Sequence, residues 1–279
     1  MASAKRVPIR VSANAPIFDL PILVALDQGL FLNAGLDVSY VTHGHSGPAA
    51  PPDLVTAQRF EALEADVYNL DAWSGVERMG REGRTARITA LRPAIVAQAI
   101  LSFDDTLYNP HDLGGVEIGV ALKRASHYAT VQLVSASLDC AEIAIRHVGG
   151  PDERLAALES GRIRAATLME PHLSLALKQG AHLVAMTFYR GADVMASELT
   201  DDEVDAYYDA INDAVNIINA EFDRYRHLVT APVAARLAPD ELGQQFVRYT
   251  HAETYEEATA RRVFPWMQAW ESTLDRARH

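Results

Sequence analysis

Side chains that can bind ligands or transfer protons lie where the sequence predicts short strands to end. Hydroxyl, imidazole and carboxylate groups dominate this set, and they suit hydrogen bonding to a small polar molecule or acid–base chemistry. The members are Asn14, His43, His45, Asp71, Trp73, Ser126, His127, Tyr128, Glu170, His172 and Tyr189. Because carboxyl ends of parallel strands share one edge of a sheet, we expect these groups to converge on one ligand.

The stretch 112–184 would position the second half of this set. Apolar runs predict strands at 116–121, 165–168 and 182–186, and helical periodicity fills the segments between them. The helix after the first of these strands is predicted at 128–138. Strands alternating with helices are typical of a parallel α/β domain.

A similar unit begins the chain. Strands are predicted at 7–11 and 36–41, and a helix at 20–28 connects them. This places the Asn14 loop and the His43 loop at the same edge. Two further strands are predicted at 86–91 and 94–102, separated by Pro93.

The two histidines His43 and His45 bracket a glycine in a Gly- and Pro-rich loop. Imidazoles at this spacing could ligate a metal, contact an anion or shuttle protons. No histidine pair at helical i, i+4 spacing supports a metal. The sequence therefore predicts no cofactor, with His43 and His45 as the place where a metal could still bind.

Composition excludes several functional classes. A net charge of −12 argues against general binding to nucleic acid or to an anionic membrane surface, although a local pocket could still take an anion. Cys140 is the one cysteine, which excludes a disulfide framework and a multi-cysteine metal site within the chain. No apolar run approaches the roughly 20 residues of a membrane-spanning helix.

The N-terminal residues indicate the compartment in which the protein is expected. They contain no apolar segment typical of a signal peptide before the first strand. As written, the sequence predicts a cytoplasmic protein, and a periplasmic or extracellular one if a leader has been removed.

An ordered set of motifs resembles the type II periplasmic solute-binding fold, in its nitrate, sulfonate and taurine (SsuA-like) and thiamine-precursor branch. The motifs run in sequence from Gln28-Gly29-Leu30-Phe31 through Gly35-Leu36-Asp37-Val38, Ala65-Asp66-Val67, Asp112-Leu113-Gly114-Gly115 with Ile118-Gly119-Val120, Gly161 with Ala165, and Glu170-Pro171. The match covers roughly residues 7–190.

This resemblance implies an α/β, two-lobed fold, with mixed sheets flanked by helices and a helical C-terminal segment. Lobe 1 would hold residues 1–93 and 190–279, lobe 2 would hold residues 94–189, and a ligand cleft would lie between the lobes. Such a protein binds a small organic molecule, here anionic or heterocyclic, and passes it to a permease if it is exported. Thr200 and Glu203 predict a capping box that opens the helical segment.

An intracellular enzyme on the same fold is the alternative. The resemblance extends to thiamine-pyrimidine synthases and, more distantly, to an aromatic sulfinate desulfinase. This chain lacks the cysteine-rich motif of the synthases, and it has Ala15 and Pro16 where the desulfinase has its cysteine. An enzyme here would be lyase- or hydrolase-like, with His43, His45 or His127 as acid or base and no cysteine nucleophile.

Overall fold

The described structure falls into two compact units. A computed structural model describes residues 6–41, 64–70, 86–122 and 124–255. Unit 1 groups Met1–Ile95 with Arg190–Leu228 and Arg248–Tyr255. In the described part of the chain, unit 2 groups Val96–Tyr189 with Val229–Val247.

Unit 1 opens with the expected strand–helix–strand unit. Strand β1 (Val7–Ser12) pairs in parallel with β2 (Leu36–Val41), and helices α1 (Pro16–Asp27) and α2 (Leu30–Asn33) connect them. Gly35 supplies the positive φ of 79° that the turn into β2 requires. The side chains of β1 alternate between core and surface, as the sequence pattern predicts.

Strand β3 (Val67–Leu70) extends this sheet between two partners. It pairs in parallel with β1 and antiparallel with β8 (His182–Ala196) through residues 192–195. The carboxyl ends of β1 and β3 therefore lie at one edge of unit 1.

Strand β4 (Ala86–Ser102) is one continuous element, and the prediction of two strands separated at Pro93 is wrong. A proline interrupts a strand mainly by its missing N–H. The carbonyl groups here still find donors: Thr250 N donates to Pro93 O over 3.0 Å, and Arg190 Nε donates to Arg92 O over 2.6 Å. Because these bonds use only acceptors of β4, the proline is tolerated.

The remaining elements of unit 1 are helical and then extended. Helix α6 (Asp201–Thr230) is interrupted by non-helical dihedrals at Glu221. Its predicted capping box is confirmed, since Thr200 N donates to Glu203 Oε2 and Glu203 N donates to Thr200 Oγ1. Strands β9 (Val247–Tyr249) and β10 (Glu253–Thr254) pair with β4, whereas the sequence predicted only helix near Thr254.

Unit 2 is built around three parallel strands. Strand β5 (Glu117–Val120) pairs with β6 (Ala144–His147) on one side and with β7 (Ala165–Leu168) on the other. Strand β7 also pairs antiparallel with β4 at residues 99–101. The sequence prediction had no strand in the place of β6.

Three helices connect the strands of unit 2. They are α3 (Ala125–Val134), α4 (Pro151–Glu159) and α5 (His172–Lys178). Helix α3 begins three residues earlier than predicted and ends four residues earlier. Residues 126–128 consequently lie in its first turn and not in a loop. Ile118, Val131 and Leu113 are fully or almost fully buried in the core beneath it.

Residues 229–247 group with unit 2. Three contacts within unit 2 account for this placement. Lys178 Nζ lies 2.6 Å from Glu241 Oε2, Arg236 pairs with Glu159, and Gly243 N donates to Ser174 Oγ over 2.9 Å. Across the described residues, none of the helices combines the length and the apolar character needed to span a membrane.

Candidate functional site

The carboxyl edge of β5, β6 and β7 gathers most of the described candidate residues. Ser126, His127 and Tyr128 follow β5, while Glu170 and His172 follow β7. The loop after β5 contacts the end of β6, because Leu122 N donates to His147 Nδ1 over 3.2 Å. This edge is where parallel α/β sheets bind ligands.

Ser126 lies in the first turn of α3, and its hydroxyl is set up to donate. Its Oγ accepts hydrogen bonds from Ala121 N at 3.1 Å and from Arg154 Nη1 at 3.3 Å. These are the hydrogen bonds of this oxygen within the described part of the chain. Since both are accepted, the hydroxyl proton can serve a ligand acceptor. No described side chain caps α3. His127 N already donates to Arg124 O over 2.9 Å, so within the described part of the chain the N–H groups of Ala125 and Ser126 are the ones that share this preference for an acceptor.

Arg154 donates a hydrogen bond to Ser126, and the sequence prediction did not include this arginine among the candidate residues. It occupies the first turn of α4, is 3% exposed, and donates from Nη1 to Gly149 O over 2.9 Å. No carboxylate among the described residues pairs with it. Burial lowers the pKa of the guanidinium to about 10, although the negative charge of Glu153 acts in the opposite direction. The group therefore stays protonated at neutral pH.

Glu170 is a fully buried carboxyl at the end of β7. Its Oε1 accepts from Ser174 Oγ at 2.6 Å and its Oε2 accepts from Ser174 N at 3.1 Å. Burial raises the pKa of Glu170 to about 7, and the two bonds from Ser174 offset only part of the rise. A carboxyl in this range can exchange a proton near neutral pH.

His172 forms a second pair at this edge. Its Nε2 lies 2.8 Å from Asp152 Oδ1, and the imidazole is buried while the carboxylate is 74% exposed on its side chain. The contact joins the start of α5 to the first turn of α4. Among the described residues, no group of three or more histidine, cysteine, aspartate or glutamate side chains is arranged to hold a metal ion.

His127 and Tyr128 are both buried in the first turn of α3, with ring centroids 5.2 Å apart. They support the turn that carries Ser126. Tyr189 is half-buried and is the last residue of β8 within unit 2. His43, His45, Asp71 and Trp73 lie outside the described residues, and their roles stay predictions.

Asn14 is the described candidate of unit 1, in the exposed loop between β1 and α1. Its backbone N–H donates to Asp19 Oδ2 over 2.7 Å. Asp19 in turn is held by Arg92, whose Nη1 lies 2.7 Å from Asp19 Oδ1 and whose Nε lies 2.5 Å from Asp193 Oδ1. All three charged side chains are at most 3% exposed, so the loop rests on a buried ion network.

Unit 1 also holds two polar residues that the sequence prediction missed. Ser12 ends β1, and Asn69 is the penultimate residue of β3, so both lie near the same carboxyl edge as Asn14. Among the described residues, Ser12 Oγ and both amide atoms of Asn69 are buried and make no hydrogen bond. Their positions at the ends of strands could have identified Ser12 and Asn69 from the sequence, as such a position did for Ser126.

Comparison with known proteins identifies the fold. No family model matches the chain, and no curated protein is recognisably similar in sequence. The alkanesulfonate-binding protein SsuA from Xanthomonas axonopodis pv. citri, bound to MOPS, superposes with a TM-score of 0.72 at 14% identity, over 99% of this chain and 95% of that chain.

Two further solved structures are similar over nearly the whole chain. The periplasmic aliphatic sulphonate binding protein SsuA from Escherichia coli gives a TM-score of 0.69 at 15% identity, over 94% of this chain and 91% of that chain. The desulfurization enzyme DSZB gives 0.66 at 15% identity, over 97% and 93%. The predicted fold is thereby confirmed: the chain has the α/β fold of periplasmic binding proteins.

Proposed function

We propose that this protein binds a small organic molecule at the carboxyl edge of unit 2, with an acidic group of the ligand at the first turn of α3. The hydroxyl of Ser126 carries the proposal, because it accepts two hydrogen bonds and keeps its own proton for an acceptor. The N–H groups of Ala125 and Ser126, at the start of α3, favour the same kind of group.

A binding assay with a matched serine control tests this. Wild-type protein is titrated with alkanesulfonates, short carboxylates and inorganic phosphate by calorimetry. Ser126→Ala should weaken the best probe by roughly 10- to 100-fold, as expected for a lost hydrogen bond to a charged acceptor. Ser160→Ala, at the exposed end of α4, should leave binding unchanged. Failure of every probe to bind wild-type protein would refute the proposal.

The proposal extends to a partner and a compartment. Two of the similar structures are sulfonate-binding proteins, and the one from Escherichia coli is periplasmic. By analogy of fold alone, the ligand would be handed to a membrane permease from outside the cytoplasm. Fractionation of the native host tests this, since recovery from the cytosol alone would contradict it.

An enzyme on the same fold is the second candidate, and Glu170 favours it. A carboxyl with a pKa of about 7 is suited to general acid–base catalysis, and one of the similar structures is a desulfurization enzyme. Incubating wild-type protein with a bound probe and examining the probe by mass spectrometry separates the two functions. A product formed by wild-type protein and not by Glu170→Gln would establish catalysis, whereas an unchanged probe supports binding alone.

A further inference from the structure

Arg154 carries a buried positive charge that no carboxylate among the described residues neutralises. The contrast with Arg92 shows how unusual this is, because Arg92 is equally buried but lies between Asp19 and Asp193. Arg154 instead donates to two neutral oxygens, Gly149 O and Ser126 Oγ. Its Nε is buried and has no hydrogen-bond partner among the described residues.

The two acidic residues that precede it in sequence form no ion pair with it. Asp152 is directed to His172 and is largely exposed to solvent. Glu153 lies over Gly149 and Gly150 and is exposed, and its attraction for the guanidinium is outweighed by burial, which lowers the pKa of Arg154. A buried ion without a partner is costly to keep in a fold, so such a group is commonly retained for a purpose other than stability.

The position of Arg154 indicates that purpose. Its Nη1 donates to the hydroxyl oxygen of Ser126, which lies in the first turn of α3. A ligand atom accepting the hydroxyl proton would lie about 5 Å from the guanidinium nitrogen, given two hydrogen bonds that meet at a tetrahedral oxygen. The positive charge would then attract an anion in a water-poor setting, without direct contact.

We propose that Arg154 is a specificity-determining residue that restricts this site to ligands with a negatively charged acid group. The inference rests on the proposed function, since it concerns the same ligand. Arg154 acts through Ser126: it holds the hydroxyl oxygen in place and makes the hydroxyl a stronger donor. Small monoanionic organic acids, sulfonates or carboxylates, are the class that fits a single hydroxyl and one helix N-terminus.

Pairs of anionic and neutral ligands of the same shape test this. Calorimetry with propanesulfonate and propanesulfonamide, and with benzoate and benzamide, gives the ratio of affinities for each protein. Wild-type protein should prefer the anion by at least tenfold. Arg154→Met should weaken the anion roughly 10- to 100-fold and change the amide less than threefold. Arg154→Lys should keep most of the preference, because it keeps the charge.

The control is Arg146→Met in the same unit, which removes an exposed arginine paired with Glu117 and should change neither affinity. Equal loss of anion and amide in Arg154→Met would show a purely structural role and overturn the inference. If that variant does not fold, a wild-type preference below tenfold overturns it equally. Absence of any binding by wild-type protein would instead refute the proposed function itself.

Discussion

Removing Arg92 should destabilise unit 1 strongly. Arg92→Met deletes the single cation between Asp19 and Asp193 and leaves both carboxylates buried, each at most 3% exposed on its side chain. Breaking a buried ion pair from one side costs about 3–5 kcal/mol. The free energy of unfolding should fall by that amount, and the melting temperature by roughly 10 °C.

The pH dependence gives a second signature. Burial already raises the pKa of Asp193, against the attraction of Arg92. Without the arginine this pKa rises further. A carboxyl with a raised folded pKa stabilises the folded state when it is protonated, and this stabilisation is lost as pH rises. The free energy of unfolding of Arg92→Met should therefore increase, relative to wild-type protein, when the pH is lowered from 8 to 5.

Urea denaturation followed by circular dichroism at both pH values measures these effects. Arg146→Met is the matched control, since its exposed pair with Glu117 is worth at most about 1 kcal/mol. The double variant Arg92→Met with Asp193→Asn should regain part of the loss, because one buried charge is gone. A loss below 1 kcal/mol for Arg92→Met, with no pH dependence, would refute this account of the network.

Two further predictions concern single contacts. Glu170 has a folded pKa of about 7 against 4.5 for an ordinary glutamate. Its protonated carboxyl therefore adds to the free energy of unfolding below pH 4.5, and this stabilisation is lost as pH rises through 7. Between pH 4.5 and pH 8, the free energy of unfolding should therefore change by about 3 kcal/mol less in Glu170→Gln than in wild-type protein, as measured by denaturation at each pH. The same pH dependence in both proteins would contradict this. Thr200→Ala removes the hydroxyl that caps Glu203 N and should cost about 1 kcal/mol in thermal unfolding; an unchanged melting temperature would show that the cap contributes nothing.

The fold was largely predictable because its core units follow simple patterns. The alternating apolar and polar residues of β1 and the glycine turn before β2 correctly predicted the first strand–helix–strand unit. The capping box at Thr200 correctly predicted the start of α6. Strand β6 was missed because its four residues include an arginine and a histidine and are at most half-buried. Strand β4 was divided because proline usually ends a strand, and only the distant donors Thr250 and Arg190 make it tolerable here.

The candidate site was predictable only in part. Ser126, Glu170 and His172 follow strand ends, so topology alone brings them to one edge. Arg154 could not be found this way, because an arginine near two acidic residues at the start of a helix resembles a solvated surface residue. Its burial depends on a contact with Ser126, 28 positions earlier, and single-sequence patterns carry no information about such contacts.

One hydroxyl ties together two segments that are far apart in sequence. Ser174 Oγ gives its only proton to Glu170 and receives the N–H of Gly243, so its rotation is fixed from both sides. Substituting Ser174 would orphan an acceptor and a donor at once. Energetic effects of changes at 170, 174 and 239–243 should accordingly be non-additive. In a mutational survey these positions would therefore behave as one cooperative group, although nearly seventy residues of chain separate the serine from the glycine.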